Sequence, residues 1–272
     1  MDGLSDRRRD AKRAAPTVAA RDRELLGFIA QHRLVLDCHV QSLLGSRNVA
    51  DARLRALERV RLIRQGPRFH GQPRCYQITR AGLDLAGSSL PQPRTDLREY
   101  KHDVGVAWLW LGARRGAFGP IREVVSERAL RSGDMTADGR KRPLGVRLGG
   151  VGPKGRESLH YPDLLLVDPG GRRTAVELEL TPKGIGRRER ILAGYASDAR
   201  IDAALYLVED LRIGRRIEAS ARALGASELI QVRRVRISGF RADGAPEAGA
   251  NRVRARETPA RRKTVREAEL RR

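Results

Sequence analysis

Three carboxylates and one amine stand close together in the middle of this sequence. Asp163 lies in the run Leu159-His160-Tyr161-Pro162-Asp163-Leu164-Leu165-Leu166-Val167, Glu177 and Glu179 lie in Thr174-Ala175-Val176-Glu177-Leu178-Glu179-Leu180, and Lys183 follows in the next turn. Between the two runs, Asp168-Pro169-Gly170-Gly171-Arg172 is a turn short enough to pair them as an antiparallel hairpin. A turn centred on Gly170 pairs residue i with 340 − i and sets Asp163 across from Glu177. Opposed Cβ atoms on one face are about 4.5–5.5 Å apart. Glu179, two residues beyond Glu177, shares its face, while Val176, Leu178 and Leu180 form an apolar face that belongs to a core. Like charges in a partly buried site repel unless a cation or a proton intervenes. The expectation is therefore a hard divalent cation, Mg2+ or Mn2+, which takes oxygen ligands and shares its shell with water and substrate phosphate. Asp163, Glu177 and Glu179 are the candidate metal ligands, and Glu179 and Lys183 the candidate catalytic groups. The same spacing also fits a solvent-facing acidic patch balanced by neighbouring arginines. His102 and His160 are candidate accessory residues, although a lone histidine is more often structural.

These acids belong to a strongly basic chain. In 272 residues, 55 Lys plus Arg stand against 33 Asp plus Glu, a formal charge of +22 that calls for a polyanionic partner. Double-stranded DNA is the expected one. Aromatic residues make up only 4% of the chain, which argues against a base-stacking platform. The positive charge is rich in arginine and spread along the sequence, unlike a basic amphipathic membrane anchor. No run approaches the roughly 18 apolar residues of a membrane span, and the N-terminus lacks a signal-peptide stretch, so a cytoplasmic location and no membrane partner are expected. Cys38 and Cys75 match no zinc spacing and read as ordinary thiols.

Residues 1–20 and 241–272 read as basic flexible tails. The polar stretch Ser88-Ser89-Leu90-Pro91-Gln92-Pro93 divides a first segment, 21–88, from a second, 95–240. In the first, Leu25, Leu26, Phe28 and Ile29 recur at helical spacing. A second helix spans Val35 to Leu44 and stops at Gly45, and a third, capped by Ser46 or Asn48, runs to about Val60. Leu54, Leu57 and Val60 or Ile63 give the third helix its core stripe, and Arg47, Arg53, Arg55 and Arg59 decorate the rest. A hairpin follows, with Arg68 and Arg74 near its tip. This is the winged helix-turn-helix pattern, in which the third helix enters the major groove. Arg47, Arg53, Arg55 and Arg59 then meet bases or phosphates, and Arg68 and Arg74 the backbone beside the groove. The close of the hairpin, Tyr76-Gln77-Ile78-Thr79-Arg80-Ala81-Gly82, resembles the end of the wing in many bacterial winged helix-turn-helix proteins, where a Thr starts the next helix and a Gly sits in its first turn. A three-helix packing module with a solvated arginine face is the bland alternative.

The second segment reads as a helix from Asp96 to about Arg115, a strand Ile121 to Val125, a long loop from 132 to 155, the acidic hairpin, a basic helix with Arg187, Arg188 and Arg190, a buried strand Ala203 to Val208, a helix Ile213 to Leu224 and a strand Leu229 to Ile237. Arg187 and Arg190 are candidate phosphate contacts beside the carboxylates.

Pro162-Asp163 and Glu177-x-Glu179, in a helix–strand–strand–strand–helix–strand order, resemble the restriction-endonuclease-like PD-(D/E)xK core. That resemblance implies metal binding by the Asp and the first acid of the pair. It also implies a Lys at position 179, where this chain has Glu; some members carry Glu there, and Lys183 is the candidate replacement. With the first segment included, roughly residues 20–240 resemble the replication-relaxation family of actinobacterial plasmids and integrative elements. The fold so implied is α+β or α/β: an N-terminal winged helix-turn-helix followed by a restriction-endonuclease-like α/β domain with a mixed central sheet. The implied function is DNA binding in mobile-element replication, relaxation or transfer, with Mg2+-dependent nicking. The Glu at 179 motivates the alternative of a non-catalytic replication accessory factor or transcriptional regulator. The protein partners implied are plasmid replication or transfer proteins and a second copy of the chain in a homodimer.

Overall fold

The structure, a computed structural model, describes residues 20–66, 73–136, 144–151, 155 and 157–237. It is a mixed α+β fold in which eight α-helices surround a three-stranded, a five-stranded and a two-stranded sheet among the described residues. No helix among them is long and apolar enough to cross a membrane. Arg68 and both expected tails lie outside the described residues, apart from Ala20.

The first segment begins with α1 (Ala20–Gln31), where Leu25, Leu26, Phe28 and Ile29 are buried as their spacing predicts. The second helix starts later than expected. Val35 and Leu36 form β1 (Val35–Leu36), paired with Tyr76 and Cys75, a pleated place that suits the β-branched Val35 better than a helix start does. Asp37 then opens α2 (Asp37–Leu44), which closes at Gly45 with φ 78°. α3 (Arg47–Arg59) buries Ala50, Leu54 and Leu57. Val60 is exposed, so Ile63 completes that stripe from β2 (Ile63–Gln65). β2 pairs antiparallel with β3 (Cys75–Ile78), giving the sheet order β1-β3-β2. Thr79 caps α4 (Arg80–Leu85): its Oγ1 accepts the Gly82 N–H at 3.1 Å and donates to the Leu62 carbonyl at 3.0 Å. A Cβ on Gly82 would lie 2.1 Å from the Leu62 oxygen, so only glycine lets this helix seat against the end of α3.

The stretch from 88 to 93 is no open linker. Leu90 and Pro93 are buried, and Arg128 donates to the Pro91 carbonyl. After a short 3-10 turn at Leu97–Glu99 comes α5 (Tyr100–Arg114), apolar on two sides. Tyr100, Val104, Ala107, Trp108 and Leu111 join the core of the first segment, while Leu109 and Ala113 join the core under the large sheet. A helix apolar all round is a buried helix; here it serves two cores at once. The Trp108 ring stands 4.4 Å from His39 and the Trp110 ring 5.2 Å from Phe28, centroid to centroid.

The large sheet contains β4 (Glu123–Ser126), β7 (Leu164–Val167), β8 (Arg173–Glu179), β9 (Ala203–Val208) and β10 (Ile230–Arg234), in the order β10-β9-β8-β7-β4. β7 is antiparallel to both neighbours, while β8, β9 and β10 run parallel. Parallel neighbours need crossovers. α7 (Ile185–Ser197) supplies the first, and α8 (Leu211–Ala223) the second.

Where the expected loop at 132–155 is described, it holds regular structure at 132–136 and 146–151. Its start belongs to α6 (Glu127–Thr136), and β5 (Val146–Val151) pairs antiparallel with β6 (Glu157–His160) as a separate ribbon. The expected single strand from Leu159 to Val167 is thereby split in two. Pro162 has no N–H for a ladder, and the chain changes sheets there.

Candidate functional site

The β7–β8 hairpin has the register read from its turn: Leu164 pairs with Val176, Leu165 with Ala175 and Leu166 with Thr174. Asp163 stands one residue before the first of these pairs, in the bend that follows Pro162, and Glu177 one residue after its partner. The carboxylates do not merge into one cluster. Each has its own cationic partner.

Asp163 Oδ2 accepts the Leu178 amide at 2.7 Å and lies 3.1 Å from His102 Nε2 on α5. Burial works against a charged imidazole, but the Asp163 charge and its hydrogen bond prevail and hold His102 up at about 9. Burial also opposes the Asp163 carboxylate, yet His102, the Leu178 amide and Lys183 together bring it below its ordinary value. Glu177, 3% exposed, takes His160 Nε2 at 2.6 Å and the Tyr195 hydroxyl on the same oxygen, Oε1. Burial and the adjacent carboxylate push Tyr195 well above the ordinary phenol value, so it remains a proton donor to Glu177. His160 is likewise raised: burial disfavours its charge and Glu177 restores it. Glu179, 4% exposed, accepts from the Lys183 ammonium through Oε2. Burial raises Glu179 despite that ammonium, with Glu177 and Asp163 adding to the shift.

Among the described residues no group of three His, Cys, Asp or Glu side chains is placed to hold a metal ion. The donor chemistry nonetheless suits a hard cation. Every ligand candidate is a carboxylate, and the hydrogen bonds above use Oδ2 of Asp163, Oε1 of Glu177 and Oε2 of Glu179, leaving the second oxygen of each to coordinate. His102 and His160 thus stand at the site as partners of the acids.

The arginines divide by position. On α3, Asn48, Arg55 and Arg59 are exposed on the side opposite Ala50, Leu54 and Leu57. Arg47 is exposed at the helix start. Arg53 instead turns towards α1, with Nη1 3.6 Å from Asp22. Arg74 is exposed just before β3, and Arg187 and Arg190 are exposed on the first turns of α7, where Arg190 Nε donates to the Gly186 carbonyl at 3.3 Å.

Sequence reasoning missed several participants. Tyr206 pairs in register with Glu177 across β8 and β9, and its signal was a lone phenol within the apolar run Ala203 to Val208. Arg33 and Arg128 join the two segments: Arg33 reaches Asp103 at 3.2 Å and Glu127 at 2.5 Å, and Arg128 donates to the carbonyls of Ala30 and His32 at 2.7 and 2.8 Å. Nothing in their local sequence distinguishes them from other arginines.

No family model, curated protein or solved structure matches this chain.

Proposed function

We propose that this chain is a double-stranded DNA-binding protein of mobile-element replication, relaxation or transfer. In this reading the first segment is a winged helix-turn-helix, the second a PD-(D/E)xK nuclease-like domain, and phosphodiester nicking occurs at its acids. The observation that carries the reading is the position of Asp163 and Glu177 on either side of the β7–β8 pairing, with Glu179 and Lys183 directly beyond them. The chain order is α5, β4, α6, β5, β6, β7, β8, α7, β9; with α6 and the separate β5–β6 ribbon taken as an insertion, the remainder follows the helix–strand–strand–strand–helix–strand order of that core. Exposed Arg47, Arg55, Arg59 and Arg74 suit phosphates or base edges.

Asp163, Glu177 and Glu179 would hold Mg2+ or Mn2+, which when bound supplies an activated water and stabilises charge on the phosphate. Tyr195 and His160 fix the Glu177 carboxylate from two directions. Glu179 holds the Lys183 ammonium at the end of β8, where that charge faces an incoming phosphate.

A second reading, a non-catalytic replication accessory factor or transcriptional regulator, is favoured by one observation. His102, His160 and Lys183 already compensate the three acids, as they would in a nuclease core that no longer turns over. The test is incubation of supercoiled plasmid with the protein and Mg2+ or Mn2+. Nicking by the wild type that Asp163→Ala abolishes supports catalysis. DNA binding without nicking, or equal nicking by both proteins, favours the second reading.

A further inference from the structure

Beside the carboxylates, between α7 and α8, lies a small cleft that shares Glu179 and Lys183 with the acidic site and adds groups of its own. Glu179, Lys183, Arg188, Tyr206 and Arg216 line it, with isoleucines of both helices as its floor. Three cationic side chains therefore face one carboxylate, and Lys183 is already bound to it. Arg188 is anchored twice: Nε donates to Ser220 Oγ on α8 at 2.9 Å, and Nη1 to the Lys183 carbonyl at 3.2 Å. These bonds fix the plane of the guanidinium and leave Nη2 for a ligand. Arg216 reaches the cleft from α8, from the exposed flank beside the buried Ile213 and Ile217. A guanidinium held as a planar fork suits a phosphate better than a point charge does.

We infer that Arg188 and Arg216 form a seat for a DNA backbone phosphate next to the one held at the carboxylates. The inference rests on the DNA-binding reading and deepens it by adding α8 to the nucleic-acid surface. Exposed Arg187 and Arg190 extend the positive charge along α7, which suits a polyanion more than an isolated small anion. Arg188 and Arg216 are positioning residues: they fix the strand while the acids act.

The full chain, in EDTA to exclude metal effects, is tested with two probes. Thymidine 3′,5′-bisphosphate is titrated calorimetrically, and a 20-base-pair duplex by fluorescence anisotropy across a KCl series. Arg216→Gln and Arg188→Gln should weaken bisphosphate binding at least tenfold. Each should lower the salt slope of duplex binding by about 0.9, the contribution of one neutralised phosphate. Arg222→Gln, exposed elsewhere on α8, should change neither. Arg188 also ties α7 to α8, so Arg216→Gln, an exposed substitution, decides the matter should Arg188→Gln misfold. Bisphosphate binding that Arg216→Gln abolishes, without any duplex binding, removes the DNA-binding reading and with it the DNA assignment of the seat, leaving a site for small phosphates only. Duplex binding unchanged in Arg216→Gln, with no bisphosphate binding, overturns the seat and leaves that reading standing. Binding of neither probe overturns both.

Discussion

His102 on α5 stands 3.1 Å from Asp163 Oδ2, a contact between residues 61 positions apart that joins the first helix of the second segment to the mouth of β7. The imidazolium takes the place of a cation for a carboxylate that is largely withdrawn from water. His102→Leu removes it and leaves Asp163 the Leu178 amide and the charge of Lys183. Breaking a buried pair costs several kcal/mol, and partial exposure of both groups brings the expected loss to about 2 kcal/mol. If Asp163 is a metal ligand, 5 mM Mg2+ should raise the Tm of His102→Leu more than that of the wild type, since a ion bound to the native state stabilises it by mass action. Equal shifts in the two proteins would remove Asp163 from the ligand set.

The neighbouring residue turns to the other segment. Asp103, 5% exposed, meets Arg33 at 3.2 Å, while its Oδ2 is buried without a hydrogen bond. Burial pushes its carboxyl from 3.8 up to about 6, and Arg33 and His102 limit the rise. Between those two values the native state retains a proton that the unfolded chain has lost. Asp103 therefore contributes a loss of stability as pH rises from about 4 to 6, and that loss persists above 6. Asp103→Asn, which mimics the protonated form, should be more stable than the wild type at pH 8, by about 3 kcal/mol at most. The difference should shrink towards zero as pH falls to 4. Thermal melts at both pH values check it, and an advantage that grows on acidification would reverse the assignment.

How much of this was legible in the sequence follows from how local each signal is. The β7–β8 register came from a five-residue turn and a period-two pattern, both contained within a short stretch, and Thr79 with Gly82 announced α4 in the same way. β5 was hidden because Gly149 and Gly150 made its sequence resemble a loop, although its ladder to β6 is formed by backbone groups. The pairing of acids with cations was hidden for a different reason. His102 and Asp163 meet only because α5 packs across the sheet, and Arg33 meets Asp103 and Glu127 only because α5 also belongs to the first core. The double role of α5 was readable in principle, since apolar residues occur on all its sides. Which core each side faces was not, because that depends on the tertiary arrangement.

Two substitutions near the end of α3 should act in opposite directions. Gly82→Ala brings a methyl to 2.1 Å from the Leu62 oxygen and 2.8 Å from Ile78 Cγ1, distances that force α4 away from β2. The expected cost is about 3 kcal/mol or more, the range of severe backbone clashes. Arg61 has φ 59°, a left-handed conformation that costs a side-chain-bearing residue about 1–2 kcal/mol. Arg61→Gly removes that strain, and with the added flexibility of the unfolded chain offsetting part of the gain, about 0.5–1 kcal/mol of stabilisation should remain. Urea titrations measure both, and a destabilised Arg61→Gly would mean that the arginine side chain contributes more than its backbone costs.

Arg128 is expected to decide whether the two segments unfold together. It is 8% exposed and donates to the carbonyls of Ala30, His32 and Pro91, joining the end of α1 and the segment-joining stretch to α6. Burial, with nearby Arg33 adding to it, lowers its pKa to about 10, so it remains charged at neutral pH. Arg128→Met keeps most of the volume but leaves three carbonyls without their donor, at a cost of about 1–3 kcal/mol for each one that water does not reach. Both tryptophans of the chain, Trp108 and Trp110, lie on α5 against the first core, so their fluorescence reports this joint, whereas far-ultraviolet circular dichroism reports all the helices. In the wild type the two signals should follow a single urea transition. In Arg128→Met the fluorescence transition should come at lower urea than the dichroism transition. Coincident curves in the variant would show that the apolar residues α5 shares between the two cores couple the segments without the arginine.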